Sequence, residues 1–184
     1  SKARAELLKK CGFKFKTCVS TVKEIKPWNV SSIKQVVIRN AVLKAEDAGK
    51  HFRDGVVIGA DTLVLQDKVI FGKPANKREA FTTIKRLSSK PSYVYTGISV
   101  LDIRSRKTYT DYAVTKVWVS KLSNKEISKY LFRRDNAHLN FAGGFDAQGK
   151  GSLFIERIEG CFYNVVGLPL AKLYKLLHKC KISI

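Results

Sequence analysis

The run Val56-Val57-Ile58-Gly59-Ala60 constrains the fold more than any other stretch of this chain. Three β-branched residues followed by two small ones carry no polar side chain, which is the pattern of a strand covered on both faces. Helices have to supply that cover, and the flanking sequence predicts them on both sides. Ala3–Lys10 reads as a helix with Leu7 and Leu8 on one face and Gly12 as its stop. Ser31 or Ser32 can cap a second helix that runs to about Ala48, with Ile33, Val37 and Ala41 on its buried stripe. Asn76 caps a third, carrying Ala80, Ile84 and Leu87.

Further along, strands are expected at Phe13–Val19, Tyr93–Ile103, Thr108–Val119, Leu153–Ile158 and Tyr163–Val166, with a hairpin around Arg104–Lys107. Ser123-Asn124-Lys125-Glu126 is a capping box that opens a helix to about Phe132. Ala142–Gly151 is glycine-rich and irregular, and Leu168-Pro169-Leu170 opens a last helix to about His178. The expected class is α/β.

With 184 residues the chain suits one domain, or two small lobes around one cleft. No apolar run approaches the ~18–20 residues that a membrane helix needs. Cys11, Cys18, Cys161 and Cys180 form no CxxC pair and no ligand spacing with the histidines. They read as small buried hydrophobes of a reduced, cytoplasmic protein. The charge is large, 35 basic against 15 acidic residues for a net +20. Because the lysines are spread along the chain, with no arginine-rich arm and no recognition helix, this does not point to nucleic acid as the partner. A broadly positive surface suits a small polyanionic substrate better.

The chemistry-bearing residues are few. Gly59-Ala60-Asp61-Thr62 reads as the end of the buried strand presenting an acid and a hydroxyl, where ligands gather in open α/β sheets; the alternative is an Asx-turn aspartate closing the strand. In Gly72-Lys73-Pro74 the lysine is confined between a permissive glycine and a rigid proline, which suits a phosphate contact or an exposed turn. Ser1-Lys2-Ala3-Arg4 opens a helix, a natural anion site to which Arg4 adds a fork of donors. Lys44 shares the apolar stripe of Val37 and Ala41, so it either snorkels outward or points into a cleft. Gln148 lies in the glycine-rich segment and suits either a contact to a base edge or ribose or an ordinary loop glutamine.

Taken in order, Ser1-x-x-Arg4-x-x-Leu7-Leu8, Ala41-x-x-Lys44-Ala45, Gly59-Ala60-Asp61-Thr62, Gly72-Lys73-Pro74, Thr96-Gly97, Ala142-Gly143, Gln148-Gly149 and Asn164–Leu170 resemble the Maf family of nucleoside triphosphate pyrophosphatases. The resemblance runs from Ser1 to about Leu177. It implies an elongated mixed sheet with flanking helices forming two lobes around a cleft, similar to the inosine triphosphate pyrophosphatase fold. A single such domain over residues 1–184 is expected, with the family's first strand missing before Ser1. The implied reaction is hydrolysis of the α–β anhydride to a nucleoside monophosphate and pyrophosphate, assisted by a divalent cation, Mg²⁺ or Mn²⁺, whose ligands the sequence does not identify.

The same resemblance makes Asp61 the catalytic acid. It puts Ser1, Arg4, Glu24, Lys44 and Lys73 in the substrate site and Thr62 and Gln148 at positions linked to base choice. A homodimer is implied as well. Ala3 stands where the dTTP/UTP branch carries arginine and the methylated-guanine branch tryptophan, while Thr62 and Gln148 favour the former. The base stays open between these branches. A basic nucleic-acid-binding or division-regulating protein is the reading from a different class.

Overall fold

The computed structural model describes residues 1–26, 32–132 and 137–182. Six helices are described, α1 (Lys2–Lys10), α2 (Ile33–Gly49), α3 (Lys77–Leu87), α4 (Asn124–Leu131), α5 (Phe162–Val166) and α6 (Leu170–Lys179). Five strands, β1 (Val56–Gln66), β2 (Val69–Phe71), β3 (Ser92–Asp102), β4 (Lys107–Val119) and β5 (Ile155–Glu159), form one sheet in the order β2-β1-β3-β4-β5. The β1–β2 and β4–β5 pairings are antiparallel, and β3 and β4 are consecutive neighbours joined by a short turn. The fold is mixed α/β, a central sheet flanked by helices. Among the described residues no helix is long and apolar enough to cross a membrane.

The chain divides into two compact units, one of Ser1–Asp61, Tyr95–Ala113 and Gly167–Ile184, the other of Thr62–Val94 and Val114–Val166. In the first unit the apolar stripe of α2 (Val36, Val37, Ala41, Ala45, Ala48) is buried, as are Leu7 and Leu8 of α1, Ile98 and Val100 of β3, and Leu173, Leu176 and Leu177 of α6. Fully burying one such Val, Leu or Ile contributes roughly 1.5–3 kcal/mol, so these stripes account for the helices docking as they do. Two glycines set how closely α2 lies on the sheet. A Cβ on Gly59 of β1 would overlap the Ala41 carbonyl and lie 2.9 Å from the Ala45 nitrogen, and one on Gly97 of β3 would meet the backbone of Val37. Only glycine at both places lets the helix backbone sit directly on the strands.

In the second unit Asn76 Oδ1 accepts from Glu79 N–H at 2.9 Å to start α3, and the Ser123–Glu126 capping box starts α4. These helices share a core of Ala80, Ile84, Leu122, Ile127, Tyr130 and Leu131. The Tyr130 hydroxyl, inside that core, donates to the Gly144 carbonyl (3.0 Å) and accepts from Asp146 N–H (2.9 Å), which fixes the glycine-rich segment.

Several expectations are corrected. Phe13–Val19 forms no strand: Phe13 and Phe15 are half-buried and Lys14 and Lys16 exposed, so the alternation records one-sided packing of an irregular segment. Tyr163–Val166 is helical (α5), with the Cys161 carbonyl accepting from Asn164 and Val165 N–H; a short apolar run does not distinguish the two states. Lys150–Phe154 is a 3₁₀ turn, so the predicted strand begins only at Ile155, and it continues one residue beyond Ile158 to Glu159. Unanticipated was β2, reached through a tight turn at Asp67 (φ 46°) and Lys68 (φ 66°). The cap of α2 is Ser32, though its side chain makes no capping bond; Ser31 lies outside the described residues. All four cysteines are free, but Cys18 is exposed and the others half-buried, so the expectation of buried hydrophobes fails.

Candidate active site

Asp61 lies in the interior of β1, not at its end: Thr62–Gln66 continue the strand, because Leu63 to Leu65 supply the apolar, β-forming residues that sustain it. Its carboxylate is 92% buried and both oxygens are engaged. Lys44 Nζ donates to Oδ1 at 2.6 Å and Asn40 Nδ2 to Oδ2 at 3.0 Å. Asn40 and Lys44 are four residues apart on α2, hence on one face, and the close seat of α2 at Gly59 holds that face against the carboxylate. Lys44 neither snorkels into water nor stands alone. It also pairs with Glu24 Oε1 at 2.7 Å, bridging a buried and a half-exposed carboxylate.

The segment carrying Glu24 is irregular yet anchored twice to α2. Asp47 Oδ2 accepts from the Ser20 hydroxyl (2.9 Å) and Thr21 N–H (3.0 Å). Asn40 Oδ1 accepts from Ile25 N–H (2.8 Å) and its Nδ2 donates to the Ile25 carbonyl (3.1 Å). The serine and the amide hold Asp47 below its ordinary carboxylate value, with the Lys50 charge helping and burial opposing.

Arg4 reaches in from α1, donating through Nε to the Gly167 carbonyl (2.7 Å) and through Nη1 to the Ala60 carbonyl (2.8 Å). These charge-assisted bonds fix the peptide immediately before Asp61. Gly167, with φ 106°, takes a backbone turn that glycine adopts readily, and this aims its carbonyl at the guanidinium. Burial holds the guanidinium's pKa below its ordinary value, and the charges of Asp61 and Glu24 offset part of that.

Arg4, Glu24, Lys44 and Asp61, the positions that the family resemblance implies, meet in the first unit. Ser1 is exposed at the N-cap position of α1, where its carbonyl accepts from Ala5 N–H but its side chain makes no capping bond. Ala3 is buried on the inner face of α1 with Leu7 and Leu8.

Thr62, Lys73 and Gln148 belong to the second unit. Lys73 is exposed between Gly72, whose carbonyl accepts from Gly143 N–H (3.0 Å), and buried Pro74, so the Gly-Lys-Pro and Ala-Gly motifs are neighbours. Gln148 is exposed and its backbone N–H donates to Asp146 Oδ1 at 3.3 Å. Asn164 of the last motif is fully buried, its amide donating to the Val94 carbonyl and to Thr115 Oγ1, a structural part. Asn40 escaped the sequence reading; the available signal was an amide on the same buried stripe as Lys44. Chemically, the cluster offers a fixed carboxylate able to accept a proton and two cations able to face an anion. Among the described residues no three His, Cys, Asp or Glu side chains gather to hold a metal ion.

Residues 1–180 match the profile of the family described as Maf-like protein. A protein of Methanosarcina barkeri named dTTP/UTP pyrophosphatase is 42% identical over 185 residues, covering 100% of this chain and 92% of the relative. Proteins with the same name from Clostridium botulinum (39% identical, 100% of this chain, 95% of the relative) and Caldicellulosiruptor saccharolyticus (39%, 97% and 90%) are similar throughout. Matched over almost its whole length by the family profile and by relatives of this likeness, the chain belongs to the Maf family.

Proposed function

We propose that Asp61, Lys44, Glu24 and Arg4 form the site at which this chain hydrolyses the α–β phosphoanhydride of dTTP and UTP. The protein is a nucleoside triphosphate pyrophosphatase, a hydrolase acting on acid anhydrides. Water adds to the α-phosphorus, the bond from that phosphorus to the α–β bridging oxygen breaks, and pyrophosphate leaves. Asp61 accepts the proton that the water loses. Lys44 and Arg4 stabilise the charge that builds on the phosphate oxygens. The observation that carries this reading is the buried Asp61 carboxylate, held by one donor on each oxygen beside a cation.

Pyrophosphatases of this family generally use a divalent cation. The described residues do not fit a protein-only metal cage, since Glu24 and Asp61 are both committed to Lys44 and no third ligand joins them. The cation is best accounted for as part of the metal–nucleotide substrate, where it neutralises phosphate charge. Thr62 and Gln148, together with the names of the relatives, support the pyrimidine reading, with residues 1–184 acting as one functional domain.

The test is pyrophosphate release from dTTP, UTP, CTP, GTP and 7-methyl-GTP with Mg²⁺ or Mn²⁺. Turnover of dTTP and UTP above the rest supports the reading, and preference for the methylated guanine nucleotide overturns the base assignment. No release from any nucleotide, together with DNA binding that weakens steeply with salt, would favour the nucleic-acid reading.

A further inference from the structure

We propose that Asn40 is a positioning residue for this reaction, setting the orientation of the Asp61 carboxylate and tying to it the segment that carries Glu24. The inference rests on the reading of Asp61 as the proton acceptor. Asn40 is 2% exposed and sits one helical turn before Lys44. Its amide has one arrangement that satisfies its neighbours. Oδ1 accepts from Ile25 N–H, and the two N–H groups of Nδ2 serve the Ile25 carbonyl and Asp61 Oδ2. Turning the amide over would set its oxygen against a carbonyl and a carboxylate, so the orientation is fixed by chemistry as well as by packing.

The consequence for Asp61 is specific. Lys44 alone, holding Oδ1 at 2.6 Å, would leave the carboxylate free to swing about that contact. The second donor on Oδ2 removes this freedom, so the oxygen that takes the proton keeps a fixed direction toward the attacking water. The same amide fixes the backbone at Ile25, next to Glu24, whose carboxylate pairs with the other side of Lys44. One buried side chain thus positions the base directly and the lysine's second partner through the backbone. No charge of its own takes part, and among the described residues the charged groups facing Asp61 are Lys44 from α2 and Arg4 from α1.

A double-mutant cycle tests this, with Asn40→Ala, Asp61→Asn and the pair compared with the parent for kcat, KM and melting temperature. Acting through Asp61, Asn40→Ala lowers kcat about tenfold or more in the parent while KM stays within about threefold. In the Asp61→Asn background the same change alters kcat by less than about twofold. Should Asn40→Ala not yield folded protein, Asn40→Ser, which keeps a small polar group in the same space, carries the cycle. Equal losses in both backgrounds, or an unchanged kcat in the parent, overturn the inference. The Asp61→Asn arm alone judges the underlying reading. If that variant keeps the parent rate, the site assignment falls; if it is inactive and Asn40 variants behave as the parent, only the positioning role falls.

Discussion

Gly59 of β1 lies so close to Ala41 of α2 that a Cβ at residue 59 would overlap the Ala41 carbonyl oxygen. This contact lets Asn40 and Lys44, on the same helix, reach an aspartate two residues further along the strand. Gly59→Ala must therefore push α2 outward, because the obstacle is backbone and not the end of a flexible side chain. Overpacking of this kind costs about 1–3 kcal/mol or more. A melting temperature lowered by several degrees is expected, with kcat/KM down at least about tenfold as the donors leave Asp61. Unchanged melting and activity would show that the helix position is not set here.

Lys44→Met deletes the charge shared by Asp61 and Glu24 and leaves an 8% exposed carboxylate without its cation. Breaking such a pair is expected to cost about 1–3 kcal/mol, less than for a fully buried one because Glu24 is half-exposed. Activity should fall as well. Lys73→Met removes an exposed charge, so nucleotide affinity should fall while the melting temperature stays close to the parent's. Thermal melts beside kcat and KM for both variants separate the two roles; identical melting of the pair would contradict them.

The Asp47 anchor gives a pH dependence with a definite sign. Its folded-state value is held below the ordinary 3.8, chiefly by Ser20, then by Thr21. A depressed carboxylate contributes stability that is present above the ordinary value and is lost as pH falls through the folded one. The 20–26 segment should therefore loosen below about pH 4, seen as faster amide exchange at Thr21. Asp47→Asn should exchange faster at neutral pH and lose this acid dependence. A parent-like pH profile in that variant would contradict the anchor.

Asn164 gives a stability test in the second unit. Asn164→Ala leaves the buried Val94 carbonyl and Thr115 hydroxyl without its amide. A loss of about 1–3 kcal/mol is expected from chemical denaturation. A variant as stable as the parent would show that water or a shifted backbone replaces the amide.

Much of the fold was legible because local chemistry and tertiary packing agree. Asn76, Ser123–Glu126 and the Arg104–Lys107 turn all punctuate the chain where capping and turn rules place them. The misses fall where a pattern has two physical causes. Phe13–Val19 alternates without pairing, and Tyr163–Val166 is mostly apolar yet helical. Within the site, Asp61 and Lys44 carried charges on apolar surroundings, which made them visible. Asn40 is neutral, and its role depends on Ile25 and Asp61, which are 15 and 21 residues away in sequence. The sequence presents Arg4 as a phosphate ligand, whereas its bonds to the Ala60 and Gly167 carbonyls join it to residues 56 and 163 positions away.

The account turns on Asp61, and Asp61→Asn tests it most directly because the substitution keeps the shape and removes the proton acceptor. The measurement is the rate of pyrophosphate release from dTTP and UTP by parent and variant, each checked for folding by its melting curve. A fall in kcat of about 10²–10⁴ in a folded variant is the predicted result. A folded variant that retains more than about a third of the parent rate would contradict the account.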